Sequence, residues 1–224
     1  MAGRGAALSQ RIFKIVVFLA CASPGVLLAY KLYQLFLGGQ SEILGPDPAG
    51  RVIHDTGRDA LFFLFVTLSI TPVRRLFKFN RLISVRRMLG VWSFTYAVFH
   101  LCAYLVFNQL CYSWATCDIS GIVTDVLKRK FIFMGMLAWT ILLALAITST
   151  NGWMRRLKKK WTTLHRLVYV AAIAAVIHFA WGQKADISEP LKWGAVLTAL
   201  LSFRVYLTIQ KRRLATSQRR VPSA

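Results

Sequence analysis

The residues of this sequence that are best suited to cofactor or metal chemistry are its four histidines. His100 and His178 fall well inside long apolar runs, His165 lies at the start of such a run, and His54 lies in a more polar stretch that predicts an irregular loop. Ionisable side chains inside a membrane are costly and are functional candidates by default. His100 and His178 are therefore the leading candidates.

The apolar runs around His100 and His178 predict helices that run in the same direction and carry both imidazoles at matching depth. At a rise of about 1.5 Å per residue, His100 lies roughly 18 Å from Met88, and His178 lies roughly 21 Å from Leu164. Two imidazoles at equal height on neighbouring helices suit the axial positions of a haem iron. The alternative is that each imidazole only hydrogen-bonds a backbone carbonyl. A zinc site is disfavoured because no third ligand is expected at that depth.

His165 is expected to act separately from His178. The two residues lie roughly 20 Å apart along one helix and point about 140° apart, so they cannot bind the same iron. On the third predicted helix, the residues at the depth of His165 are Arg86 and Arg87. The alternative is an interfacial imidazole that lies beside Arg166 at the lipid headgroups.

The composition indicates that the elements around these histidines cross a membrane. The chain has 224 residues, is 56% hydrophobic and only 17% charged, and has a mean hydropathy of +0.51. A soluble domain carries about 25% charged residues. We therefore expect an all-α membrane protein, a single domain over residues 1–224 that forms a bundle of six transmembrane helices. Apolar runs predict the spans at about 13–31, 60–74, 88–110, 131–150, 164–182 and 191–209.

The charge distribution predicts the orientation of this bundle and argues against nucleic-acid binding. The formal net charge is +21, and most basic residues form short clusters in both tails and in the loops after the second and fourth spans. The positive-inside rule therefore predicts that both termini are cytoplasmic, with Lys128, Arg129 and Lys130 as the exception. No acid is expected inside a span. All acids are expected on the opposite side: Glu42, Asp47, Asp55, Asp59, Asp118, Asp125, Asp186 and Glu189.

The four cysteines form no CxxC pair, which disfavours a structural zinc site. Cys111 and Cys117 are both expected on the side opposite the termini. A disulfide between them and two free thiols are equally compatible with their positions.

Two stretches resemble a known family. Residues 86–90 (RRMLG), followed by His100, resemble the third helix of ferric-reductase-like transmembrane domains, and residues 161–169 (WTTLHRLVY), followed by His178, resemble their fifth. Two-haem relatives in this superfamily carry a pair of histidines on each of these helices. Here Arg86 occupies the place of the inner ligand on the third helix. The resemblance therefore implies one b-type haem with His100 and His178 as axial ligands of its iron, and a role for His165 in cofactor binding.

The resemblance is strongest to haem-binding membrane subunits of periplasmic methionine-sulfoxide reductase systems. It implies an inner-membrane location, FMN as a further cofactor, and electrons that come from a quinol or flavin donor. It also implies that a periplasmic molybdopterin reductase of the MsrP type receives them and reduces the sulfoxide for protein repair. The basic loops would contact membrane lipid or hold a flavin phosphate.

Two other functions are compatible with a six-span bundle. A histidine-based transporter is disfavoured because such proteins usually carry acids inside their spans. A non-catalytic membrane anchor would explain the spans but leave two buried histidines without a purpose.

Overall fold

The computed structural model describes residues 2–38, 41–108, 117–183 and 186–219, and all regular structure in these ranges is helical. The α-helices are α1 (Ala2–Phe36), α2 (Pro48–Phe77), α3 (Arg86–Asn108), α4 (Ile119–Lys128), α5 (Lys130–Ile147), α6 (Asn151–Leu157), α7 (Lys159–Leu164), α8 (Val168–Gly182) and α9 (Ser188–Arg219). Short 3-10 turns cover Ser41–Leu44, Asn80–Ser84 and His165–Leu167, the last of which joins α7 to α8.

Six helical segments of the described chain are long and apolar enough to cross a membrane, which confirms the predicted all-α bundle of six spans. Ser9, near the start of α1, contacts Arg81, which lies beyond the end of α2. Helix α9 runs in the same direction as α2, because Glu189 approaches His54 and Arg204 contacts Leu68. The described start of α1 and end of α9 therefore lie on one side of the bundle, here called the termini side; the opposite side is called the distal side. The segments are Ala7–Phe36, Pro48–Phe77, Arg86–Asn108, Lys130–Ile147, Lys159–Gly182 and Ser188–Gln210.

The second span differs most from the prediction, because α2 begins at Pro48 rather than near residue 60. Asp47 caps the helix by accepting a hydrogen bond from the backbone N–H of Gly50 at 2.9 Å, and a proline is well tolerated in the first turn. His54, expected in an irregular loop, therefore lies on a spanning helix. The expectation that no acid lies inside a span is wrong, since Asp55 and Asp59 also belong to α2.

The helix α2 also continues past Pro72 to Phe77, slightly beyond the predicted end of the span near residue 74. Proline has no backbone N–H, so the carbonyl of Leu68 loses its usual helical donor. Arg204 of α9 supplies a replacement: one terminal nitrogen donates to this carbonyl at 2.9 Å and to the Thr71 hydroxyl at 3.2 Å, and the other donates to the Tyr169 hydroxyl. Arg204 therefore joins α9 to α2 and α8 at the point where α2 would otherwise be weakest.

The centre of the bundle consists of two antiparallel pairs, α2 with α3 and α5 with α8. Their shared core includes Leu61, Leu64, Leu68, Ala171 and Ala172, all of them buried. The most apolar window of the second span is 44% buried, whereas those of the first and last spans are only 6% buried. The spans α1 and α9 are thus peripheral, and their exposed apolar side chains would face lipid.

The peripheral helix α1 is attached to the core by Tyr96 of α3. The Tyr96 hydroxyl donates to the carbonyl of Cys21 at 2.7 Å and accepts from the backbone N–H of Gly25 at 2.9 Å. A Cβ at Gly25 would lie 3.3 Å from this oxygen, so a residue without a side chain allows the close approach.

The distal side carries the short helix α4, which the hydropathy pattern did not predict. It has 10 residues and exposes Ile119, Val123 and Leu127, which is typical of a helix that lies along the membrane interface. Cys117 precedes it and is disulfide-bonded. The partner considered in the sequence analysis, Cys111, lies outside the described residues.

The distal turn before α9 is held by Asp186. Its carboxylate accepts hydrogen bonds from the backbone N–H of Ser188 at 2.8 Å and from the Ser188 hydroxyl at 3.0 Å. These bonds stabilise the ionised form and hold the pKa of the Asp186 carboxyl below its usual range.

Candidate functional site

The structure brings His100 of α3 and His178 of α8 close together in the distal half of the bundle. Their ring centroids lie 5.9 Å apart, and their planes are nearly perpendicular at 82°. Two imidazoles on opposite sides of one metal ion, each with a metal–nitrogen bond of about 2 Å, have centroids roughly 6 Å apart. The spacing therefore matches that of two ligands to one ion.

Each of these imidazoles is oriented by a backbone carbonyl of the neighbouring helix. Nδ1 of His100 lies 2.8 Å from the carbonyl oxygen of Ile53, and Nδ1 of His178 lies 2.6 Å from that of Phe131. A carbonyl can only accept, so each Nδ1 carries the proton and each Nε2 keeps its lone pair. A hydrogen bond from one ring nitrogen to a carbonyl is the usual way in which a metal-binding histidine is oriented.

A glycine makes room for each imidazole. Gly57 and Gly135 lie one helical turn after Ile53 and Phe131, beside the carbonyls that accept the hydrogen bonds. A Cβ on Gly57 would lie 2.9 Å from Nδ1 of His100, and a Cβ on Gly135 would lie 2.7 Å from Nδ1 of His178. Any other residue at these positions would displace the ring.

Both imidazoles line one cavity of about 530 Å³, a size within the range of sites for small molecules and cofactors. Most of its walls are apolar. They come from α2, α3, α5 and α8, with contributions from α4 and α9, and include Leu61, Leu64, Ala97, Leu101, Ile132, Ala138, Leu142 and Phe179. The described residues contain no group of three or more histidines, cysteines or acids that could hold a metal ion.

These features fit a haem rather than a zinc ion. A haem iron needs only two protein ligands, whereas a zinc site needs three or four. The apolar walls suit the flat face of a porphyrin, and the two Nε2 lone pairs suit the two axial positions.

His54, Arg58 and Arg129 line the same cavity, and none of them was predicted to do so. The His54 ring lies 6.1 Å from that of Phe179, and its Nε2 lies 4.0 Å from a carboxylate oxygen of Glu189. A signal was present in the sequence, because His54, Gly57, Arg58 and Leu61 follow helical spacing and so share one face of α2. The expectation of a loop over these residues concealed it.

His165 is not among the residues that line this cavity. Its ring stacks on Trp161, with centroids 3.9 Å apart, and its Nδ1 lies 3.2 Å from the Trp161 carbonyl. Its Nε2 lies 3.5 Å from the Ser149 hydroxyl. The structure thus separates His165 from His100 and His178, and its role in cofactor binding stays a prediction.

Comparisons with known proteins agree with this architecture. The family of ferric reductase like transmembrane components matches residues 56–176. The chain is 43% identical over 213 residues to the "Protein-methionine-sulfoxide reductase heme-binding subunit MsrQ" of Xanthomonas euvesicatoria pv. vesicatoria (strain 85-10), with 93% of this chain and 92% of the relative covered.

Proteins with the same name from other bacteria are similar over comparable lengths. That of Xanthomonas oryzae pv. oryzae (strain MAFF 311018) is 41% identical, with 95% of this chain and 94% of the relative covered. That of Herminiimonas arsenicoxydans is 40% identical, with 90% and 88% covered. No solved structure matches the chain. Identity at this level over nearly the whole length shows that the chain belongs to the MsrQ family, within the ferric-reductase-like transmembrane components.

Proposed function

We propose that this chain is the haem-binding membrane subunit of a protein-methionine-sulfoxide reductase system and carries electrons through the membrane to the reductase. The observation that carries the proposal is the pair His100 and His178, whose rings lie 5.9 Å apart and line one apolar cavity. The names of the relatives support the same function.

In this proposal His100 and His178 are the axial ligands of one b-type haem. Haem iron held by two protein ligands supplies one-electron transfer between its ferric and ferrous states. The carbonyls of Ile53 and Phe131 hold both imidazoles in the tautomer that leaves Nε2 available. The surrounding apolar side chains exclude water, which favours binding of the porphyrin and stabilises its position.

We propose one haem per chain because the described residues offer no second pair of imidazoles at a separate site. His165 contacts Trp161 and Ser149 rather than a second imidazole, and His54 lines the cavity that His100 and His178 already share. We assign His165 to the termini side, where it would assist electron entry. FMN is proposed as a further cofactor on that side, where the basic loops would attract its phosphate.

We infer the orientation of the chain in the membrane from its charge distribution. The basic clusters lie on the termini side, which we therefore propose to be cytoplasmic, in the bacterial inner membrane. The haem site then lies nearer the periplasm. Electrons from a quinol or a flavin would enter from the membrane or the cytoplasm. A periplasmic molybdopterin reductase of the MsrP type would receive them and carry out the sulfoxide reduction.

The test is an absorption spectrum of the purified full-length chain, recorded before and after reduction with dithionite, together with a pyridine haemochrome assay. We expect the spectrum of a low-spin b-type haem and close to one haem per chain. A chain that contains no haem after expression with adequate haem supply would contradict the proposal. Two haems per chain would show that His165 has a partner ligand.

A further inference from the structure

Three basic side chains contribute to the lining of the cavity around His100 and His178. His54 and Arg58 lie on α2, close to Ile53 and Gly57, which contact the His100 ring, and Arg129 lies at the junction of α4 and α5. The other walls are mainly aliphatic and aromatic. The cavity therefore combines an apolar lining with three basic side chains.

The described acids of the distal side do not line this cavity. Asp55 and Asp59 lie close to Arg58 on α2, and Asp125 lies one turn before Arg129. Among the described residues that line the cavity, however, there is no Asp or Glu. A cleft lined by charges of one sign attracts a ligand of the opposite sign. The cavity therefore suits a flat apolar molecule with an anionic edge.

Arg58 is the cation that is available for such an edge. Arg129 forms an ion pair with Asp125 at 3.0 Å, and His54 lies 3.7 Å from Asp55. Within the described part of the chain, Arg58 forms no ion pair with an acid. A guanidinium can donate two parallel hydrogen bonds to one carboxylate, which makes arginine well suited to this task.

We propose that Arg58, supported by His54 and Arg129, binds the carboxylate edge of the haem and so fixes the orientation of the ring in the cavity. This inference rests on the proposed function, because it takes the occupant of the cavity to be a haem, whose propionate groups share one edge of the ring. His100 and His178 would hold the iron, whereas the three basic side chains would determine which way the ring faces.

The experiment compares iron protoporphyrin IX with its dimethyl ester, which has the same ring and metal but no carboxylates. The full-length chain, purified in detergent without haem, is titrated with each compound and followed by Soret absorbance. We expect the wild-type chain to bind the free acid at least about tenfold more tightly, as for one charge-assisted hydrogen bond. We expect Arg58→Gln to bring the two affinities close to each other, and Arg58→Lys to keep part of the preference because it keeps the charge.

Arg51→Gln is the matched control. Arg51 lies on the same helix, is exposed, and pairs with Asp55 at 3.1 Å, but it does not line the cavity. It should leave the preference unchanged, and circular dichroism should show equal helicity in all variants. Equal binding of both compounds by the wild-type chain, or a full preference in Arg58→Gln, would overturn this inference while leaving the haem function intact. Failure of the wild-type chain to bind either compound would overturn the proposed function as well.

Discussion

Nδ1 of His178 lies 2.6 Å from the carbonyl oxygen of Phe131, a residue 47 positions earlier in the chain. His100 makes the same contact with the carbonyl of Ile53, also 47 positions earlier. In both cases a glycine one turn after the carbonyl makes room for the ring. In each of the pairs α2–α3 and α5–α8, the first helix orients an imidazole of the second with a carbonyl and makes room for it with a glycine. The two imidazoles meet between the two pairs.

The first prediction concerns the effect of replacing either imidazole on haem binding. Replacing His100 or His178 by Ala should remove one ligand, so the haem should be lost or become five-coordinate and high-spin. His165→Ala should retain at least part of the haem, because His165 lies outside the cavity. The measurement is the reduced-minus-oxidised absorption of each purified variant, normalised to protein. A haem spectrum that survives in His178→Ala and disappears in His165→Ala would show that the ligands are wrongly assigned.

The glycines beside the imidazoles should be nearly as sensitive as the imidazoles. Gly135→Ala would place a Cβ 2.7 Å from Nδ1 of His178, so the ring must move or its hydrogen bond to Phe131 must break. Such overpacking costs about 1–3 kcal/mol, and we expect a lower haem content or a shifted Soret band. Gly90→Ala on α3 is the control, since its Cβ would make an ordinary contact with Thr67 at 3.7 Å. Equal spectra for both variants would show that close approach at Gly135 does not matter.

A third prediction concerns the contact of Arg204 with the carbonyl of Leu68. Arg204→Met should leave this carbonyl without a donor, at a cost of about 1–3 kcal/mol in the free energy of unfolding. The measurement is the thermal unfolding of the chain in detergent. Arg213→Met, an exposed position on the same helix, should have little effect.

Pro72→Ala provides a second test of this contact, because it restores the backbone N–H that α2 lacks at this point. The loss of stability caused by Arg204→Met should therefore be smaller in a Pro72→Ala background than in the wild-type chain. Equal losses in the two backgrounds would mean that Arg204 does not act by replacing the missing helical donor.

The orientation of the bundle can be tested with reporter fusions. A reporter that is active only in the periplasm should be active when fused after residue 45, 118 or 187, and silent when fused after residue 80, 157 or 224. The physical reason is the concentration of basic residues on the termini side. Activity at residue 80 but not at residue 45 would reverse the predicted orientation, and activity at both would be incompatible with α2 crossing the membrane between them.

The sequence by itself determined the number of spans and the depth of the two main histidines. Both follow from local properties: the length of each apolar run and a fixed rise of about 1.5 Å per residue. The sequence also contained a signal for the start of α2, since Asp47 is a capping residue and Pro48 suits the first turn. The polar residues in the first turns of α2 nevertheless led to the prediction of a loop. His54 was therefore misplaced.

Only the tertiary structure decided what surrounds those histidines. The depth of a residue along its helix does not specify which neighbouring helix its side chain faces. The carbonyls of Ile53 and Phe131 therefore could not be identified from spacing as the partners of the two imidazoles. The same is true of Arg58, whose place at the cavity depends on the packing of α2 against α3. The rise per residue is a property of each helix alone, whereas these contacts depend on how side chains of different helices fit together.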